Sequence, residues 1–421
     1  MGHRGLGQNI NKIKPLIHYT MKNLLYYFAV TAFILCTISC SSDDDNAQRG
    51  PFELVLAENV TDAEVVSIIT AGINNGMNSL VVANTTNLTT LDLPQIEALD
   101  SLRIINNAQL ATVSLPNLSA SVEIEITNNN ELSSIDLSEL AEIDNLNISG
   151  NNALENISLP ALTEINNRFI IVGNDNLATI SLGSLTNTTG EISISGTRIT
   201  SISIPNLEEI GTIRVANAEM MTSFELPKLV TVHQRFSLSR NANLETISLP
   251  DLIECKLSFG ISNHPNLTTI SLPSLVEVAT TRVTDGEDDG GLYINNNDLL
   301  ETISVPTLEF SWIINFSGNL ISTVELPMLT TSDLIRTESG LDAITTLNLS
   351  SLQDFNFIQM DAVTAEILDN ILNILVNISP SITGKNISII YTGTTPNQDA
   401  ATNAQILIDN GNIVTIPNLL N

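Results

Sequence analysis

Apolar residues recur along most of the chain as two alternating pairs per unit, with polar residues between them. One unit reads Leu146-Asn-Ile148-Ser-Gly-Asn151-Asn-Ala-Leu154-Glu-Asn-Ile157-Ser-Leu159-Pro160. Period-two alternation turns Leu146 and Ile148 to one side of a short strand and Asn147 to the other. The second pair, Ile157 and Leu159, predicts another short strand. Proline ends it because proline has no N–H for a ladder and fixes φ as the chain turns. This proline stands at 94, 116, 160, 205, 227, 250, 273, 306 and 327, with Ser138, Gly183 and Ser350 in phase, in steps of 21–23 residues and one of 33. The octapeptides Asn243–Pro250 and Asn266–Pro273 are nearly identical. About 12 units fit residues 87–360. The fold class expected is a β-rich solenoid with a parallel β-sheet.

Three residues after each first pair an amide recurs, as Asn107, Asn129, Asn151, Asn174, Asn241, Asn297 and Asn319. An amide both donates and accepts, so it can satisfy backbone groups that a turning chain leaves unpaired. One unit cannot cover its own apolar face, so stacked neighbours and two end caps are expected.

The flanks fit such caps. In residues 51–86, Thr61-Asp-Ala-Glu64 matches a capping box, and Ala63, Val66, Ile69 and Ile73 follow at helical spacing before a strand at Leu80-Val-Val82. Residues 361–421 predict an α/β capping module. A helical stripe of Val363, Ile367, Leu368, Ile371, Leu372 and Leu375 precedes a strand at Ile387–Tyr391, a helix near Asp399–Asp409 stopped by Gly411, and a strand at Ile413–Ile416.

The L-x-I and I-x-L-P-x-L pattern of residues 87–360 resembles the leucine-rich-repeat superfamily, in the variant of receptor L domains and fungal cell-wall glycoproteins. It departs from the bacterial surface-antigen class, which carries an Ala-Phe and Cys signature in each unit, and it lacks Cys-rich flanks.

Ahead of this array, residues 1–40 read as an upstream extension plus a signal peptide. Met21-Lys-Asn opens a basic start, and an apolar run from Leu24 to Ile38 ends at Thr37-Ile-Ser-Cys40. Fifteen residues is short for a membrane span of about 20, although an uncleaved anchor helix is the alternative. The arrangement resembles a bacterial lipobox, in which Cys40 becomes the acylated N-terminus, with Thr37 in place of the usual Leu. Ser41-Ser-Asp-Asp-Asp45, in an acidic tether at 41–50, resembles the export tail of Bacteroidetes lipoproteins. These likenesses imply an outer-membrane lipoprotein exposed on the cell surface and held to the membrane through its N-terminal lipid.

Charge changes the list of partners. The whole chain carries −30, but residues 1–40 hold Arg4, Lys12, Lys14 and Lys22 with no acid, so from residue 41 onward 12 basic and 46 acidic residues leave −34. Phosphate backbones are repelled, so nucleic acid is not an expected partner. Apart from Cys36 and Cys40 the one cysteine is Cys255, which reads as a small buried side chain. Of the histidines, His3, His18, His233 and His264, the last occupies the recurring Asn position and reads as structural. No nucleophile elbow, phosphate loop or zinc motif occurs, so no catalytic residues and no cofactor are expected. Within the 33-residue step, Asp285, Glu287 and Asp289 imitate the start of a calcium loop, but Asn296 stands at its twelfth position where such loops place a bidentate Glu. A solvated surface loop is the expectation there.

Strand parity defines the outward face. From Ser101/Arg103/Ile105 to Ile313/Asn315/Ser317 its residues include Arg103, Arg168, Arg214 and Arg235 against Glu123, Glu125 and Glu191, close to neutral on an acidic chain. Like charges about 4.8 Å apart on neighbouring strands repel, which alone favours Ser, Thr and Asn there. The functional reading is a binding or adhesion face for a protein or glycan ligand, with Arg168, Arg214 and Arg235 as charged anchors and Tyr293 as the aromatic one. Trp312 shares the parity of Ile314 and is expected inside. The alternatives are a glycan-binding accessory protein of a nutrient-uptake system and a secreted enzyme with an unrecognised site.

Overall fold

A computed structural model of the chain describes residues 52–280, 290–338, 344–393 and 395–419. The signal region with Cys40, the acidic tether and the Asp285, Glu287 and Asp289 segment lie outside the described residues. Strand makes up 46% of the described residues. Its main sheet contains 19 strand segments, and every pairing in it is parallel, each rung with the next along the chain. It begins with Phe52–Ala57, Met77–Ala83 and Ala98–Ile105 and closes with Asp354–Thr364, Asn386–Thr392 and Ile413–Thr415. Three rungs are split in two, for instance Phe310–Ser311 with Ile313–Asn315, so the 19 segments make sixteen rungs among the described residues. The second apolar pair forms three-residue strands on another side, such as Asn156–Ser158, Thr179–Ser181 and Ser201–Ser203, gathered into four parallel three-stranded sheets. The chain therefore folds as a β-solenoid-like repeat.

Between these sides lies one continuous apolar core. Leu146, Ile148, Leu154, Ile157 and Leu159, the apolar set of a single unit, are all buried. Within it Phe236 and Phe259 stack with centroids 4.5 Å apart and planes 8° from parallel.

The turn after each main strand is built by two residues. The first is left-handed: Asn84, Asn106, Asn128, Gly150, Gly173, Gly196, Asn217, Arg240, Asn263, Asn296 and Gly318 all have φ between +50° and +73°. Glycine and asparagine tolerate that region and Arg240 is the exception. The second is the recurring amide, which forms a ladder. Asn129 Oδ1 accepts from the Asn107 backbone N–H at 2.9 Å and from Asn107 Nδ2 at 2.9 Å, while Asn129 Nδ2 donates to the Ile104 carbonyl at 3.0 Å. Asn129 N–H passes the pattern to Asn151 Oδ1 at 3.0 Å, and Asn151 passes it to Asn174. The ladder stops at Thr197 and Ala218, where the strands run on through the turn position and pair Asn174 with Thr197 and Thr197 with Ala218. It resumes at Asn241, His264, Asn297 and Asn319.

Several rungs also bend. Register shifts fall between Ile165 and Arg168, Thr188 and Glu191, and Ile210 and Thr212. At the last of these, a Cβ on Gly211 would lie 2.0 Å from the Thr189 carbonyl oxygen, so only glycine fits. The bends are lined inside by short polar groups that donate to carbonyls freed there: Ser311 Oγ to Ile313 O at 2.7 Å, Ser332 Oγ to Leu334 O at 3.1 Å, and Cys255 Sγ to Ser258 O at 3.1 Å.

The flanks extend the same sheet. Helix α1 (Asp62–Asn74) connects Phe52–Ala57 to Met77–Ala83, and Glu64 accepts from Thr61 N–H at 3.0 Å as the capping box expects. The strand Phe52–Ala57 was not among the expected elements, and the stripe on α1 is corrected. Val65, Ile69 and Gly72 are buried, while Val66 is 53% exposed. Gly72 sets this rotation, since a Cβ there would lie 3.0 Å from Leu54 Cδ2 and 3.2 Å from Met77 Sδ. At the other end α2 (Ala365–Val376) buries Ile367, Leu368, Ile371, Leu372 and Leu375, and α3 (Gln398–Asp409) is followed by Gly411 at φ +87°.

Candidate binding face of the parallel sheet

Because the rungs are parallel and in register, outward side chains fall into columns that cross the strands. One column runs Ser101, Glu123, Asn145, Arg168, Glu191, Thr212, Arg235, Ser258 and Gly291. The next runs Arg103, Glu125, Asn147, Ile170, Ser193, Arg214, Ser237, Gly260 and Tyr293. Arg168 and Arg235 therefore share a column three rungs apart, about 14 Å at roughly 4.8 Å per rung. Arg214 lies in the adjacent column one rung before Arg235, and Tyr293 stands in that column three rungs further on. The four expected anchors share one surface but do not converge on one point.

Their electrostatics differ. Arg214 Nε lies 3.5 Å from Glu191 Oε1, and Arg103 Nε donates to Glu125 Oε2 at 2.9 Å, so two of the arginines are neutralised across the rungs. The Glu125 carboxylate raises the Arg103 pKa further above its ordinary value. Arg168 is exposed with no ion pair to any described residue, whereas Arg235 is half-buried. Beside Tyr293, Gly260 leaves a strip of bare backbone.

Beyond Tyr293 the first column turns apolar. Gly291 is buried because Ile313 covers it, a Cβ on Gly291 falling 2.7 Å from Ile313 Cβ. Ile313 then pairs with Leu334 and Leu334 with Phe357, both half-buried and outward of the core residues Ile335 and Ile358. The neighbouring column carries Asn315, Arg336 and Gln359, with Arg336 Nη2 donating to Gln359 Oε1 at 3.0 Å. Sequence reasoning missed Leu334, Arg336 and Phe357. The signal was the x-I-x alternation of Leu334-Ile-Arg336 and Phe357-Ile-Gln359, which continues the phase of Ile313-Ile-Asn315. Trp312, expected inside, is partly buried and packs against the core from the break between Phe310–Ser311 and Ile313–Asn315, its ring centroid 6.5 Å from that of Phe310.

Two buried groups lie away from this face. Cys255 is enclosed, and desolvation pushes its thiol pKa up to about 12, so it serves as a neutral donor. His264 is 0% exposed in the amide ladder, and burial lowers its pKa. At the edge of the face where the ladder is interrupted, Asp175, Gly196, Thr197, Arg198, Asn217 and Glu219 border an open depression of about 350 Å³. Among the described residues, no cluster of three or more His, Cys, Asp or Glu is placed to hold a metal ion, and no helix is long and apolar enough to cross a membrane. No protein-family model matches the chain, and no curated protein matches it either.

Proposed function

We propose that this chain is a non-catalytic binding or adhesion protein that receives a protein or glycan ligand on the outward face of the long sheet. The observation that carries this reading is the change of character along one unbroken, in-register surface. Small polar residues with spaced arginines give way, beyond the buried Ile313, to the half-buried Leu334 and Phe357, edged by Tyr293, Arg336 and Gln359. Aromatic and arginine side chains with apolar neighbours are the composition of binding hot spots, and an extended repeat face is the usual partner surface of solenoids. In the same reading the array is a leucine-rich-repeat solenoid of about twelve units, supported by the four three-stranded sheets of the second apolar pair. Its ends are capped by α1 and by α2 with α3. The chain is carried on the outer membrane as a surface lipoprotein acylated at Cys40.

A panel of extracellular matrix proteins and a glycan array test the face. With a ligand in hand, R168E/R214E/R235E weakens binding without lowering the melting temperature, while an equal change of charge on the second side leaves it intact. Equal loss from both sets would mean that net charge governs the interaction. The partly exposed edge of Trp312 beside Phe310 favours the glycan arm, and a signal confined to sugars that W312A abolishes selects it. Intact-mass analysis of the membrane fraction tests the address, and an unmodified chain retaining residues 21–39 would refute it.

A further inference from the structure

Of the eleven in-phase turn positions from Thr85 to Asn319, ten carry a side chain that does not titrate near neutrality and one carries an imidazole. His264 replaces the amide between Asn241 and Asn297, and its own backbone N–H donates to Asn297 Oδ1 at 3.0 Å. The contacts of its ring prescribe one protonation state. Asn241 N–H donates to His264 Nδ1 at 3.2 Å, which requires a lone pair on Nδ1, and Nε2 lies 3.1 Å from the Leu238 carbonyl, which requires a proton on Nε2. That is the neutral Nε2–H tautomer, and it reproduces what Asn129 does with an amide: accept from one turn and donate to the strand before it.

A proton on Nδ1 removes the acceptor of Asn241 N–H. The ring could then donate only to the Asn241 carbonyl, 3.3 Å away, and it would hold a buried positive charge with no counter-ion. The charged side chains on the flanking turns are Arg240, before Asn241, and Asp298, after Asn297; both are exposed. The strand Thr231–Ser239 brings Arg235 and His233 to its outward side, where His233 pairs with Glu209 at 2.9 Å. None of these reaches the ring. A charge so placed is relieved only by exposing the ring to water.

We propose that the rung carrying His264 is an acid-sensitive joint in the solenoid, which stays closed while the imidazole is neutral and opens locally when it takes a proton. The sign is fixed by linkage: burial depresses the folded pKa, so the stabilising contribution is full above the ordinary histidine range and is lost as pH falls through it. The joint lies between the rungs of Arg235 and Tyr293, so its opening would also disturb the middle of the face. The inference itself does not depend on any ligand.

Hydrogen exchange on the full chain from pH 7.5 to 5, read by mass spectrometry and corrected for intrinsic rates, provides the test. Protection of peptides spanning Asn241 and Ser262–Leu267 should fall by up to about tenfold per pH unit below roughly 6.5. Peptides spanning Asn107 and Asn129, rungs of the same ladder with amides, serve as the internal control and should stay flat. H264N should remove the dependence, while H233N should leave it unchanged. Flat protection at Ser262–Leu267 in the unaltered chain would overturn the proposal without reference to any variant, as would a dependence that H264N retains or that H233N abolishes.

Discussion

Replacing Asn129 by Ala measures what the amide ladder contributes. Asn129 is 0% exposed, and its side chain serves both adjacent turns. Some of its partners keep other bonds when it is truncated. Asn107 Nδ2 still donates to the Val82 carbonyl at 3.0 Å, and the Thr127 carbonyl still accepts from Asn106 N–H at 3.1 Å. The Asn107 backbone N–H loses its acceptor, however, and the Ile104 carbonyl loses the Asn129 Nδ2 donor. The Ile104 carbonyl keeps a ladder donor from the strand Ala120–Thr127, so one buried group is left without a partner, and at about 1–3 kcal/mol for such a group N129A should lose about 1–3 kcal/mol. Urea unfolding of the compact unit Arg49–Asn421, followed by far-UV circular dichroism, reads the change in midpoint at constant slope. Asn130, the exposed neighbour, is the control, and N130A should stay within about 0.5 kcal/mol of the parent. A loss below about 1 kcal/mol for N129A would show that water or backbone pairing satisfies these groups, and the ladder would no longer explain why asparagine recurs.

Three further outcomes follow from buried or strained positions. Thr197 Oγ1 is buried without a partner, so T197V should be neutral or should stabilise by about 1 kcal/mol, and a clear loss in the same urea assay would show that the hydroxyl has one. Arg240 holds φ +54° where the column otherwise has asparagine or glycine; R240G should raise stability by roughly 0.5–1 kcal/mol, and a drop would mean that its side chain compensates the strain. Cys255, with its thiol pKa near 12, should resist alkylation at pH 8 until the chain is unfolded; peptide mapping that finds it labelled in the native state at the rate of a free thiol would contradict its burial.

Much of this architecture was legible because its signals are local. The period-two pairs, the proline after Leu159 and the amide at Asn151 each act within a few residues, and parity placed Arg168, Arg214, Arg235 and Tyr293 on one surface. The helical stripe held from Ile367 to Leu375 for the same reason, but Val363, expected at its head, lies in the strand Asp354–Thr364 and pairs with Tyr391, because the sheet runs on to Thr364 before the helix starts. What escaped depends on neighbours. Gly211 is required by a carbonyl on the preceding rung, and Gly72 by side chains on two strands, so neither reason is visible in the residues beside it. Trp312 packs against the core but is only partly buried, since it sits at a break in its rung where simple alternation no longer applies. The left-handed column was legible in part, in the Asn-Asn and Gly-Asn steps ending at Asn107, Asn129 and Asn151, but Arg240 hides it at one rung.

The ladder also bears on how such a chain can change over generations. Each amide speaks only to the rung on either side, and each rung offers the same two groups upward and downward, so a whole rung can be gained or lost by recombination between near-identical stretches such as Asn243–Pro250 and Asn266–Pro273 without leaving a mismatched junction. The face then lengthens or shortens in whole steps of about 4.8 Å. A single-residue insertion inside a strand has the opposite consequence, since it would turn Leu146 and Ile148 outward and Asn147 into the core. Growth by blocks and intolerance of single-residue slips are thus two results of one register.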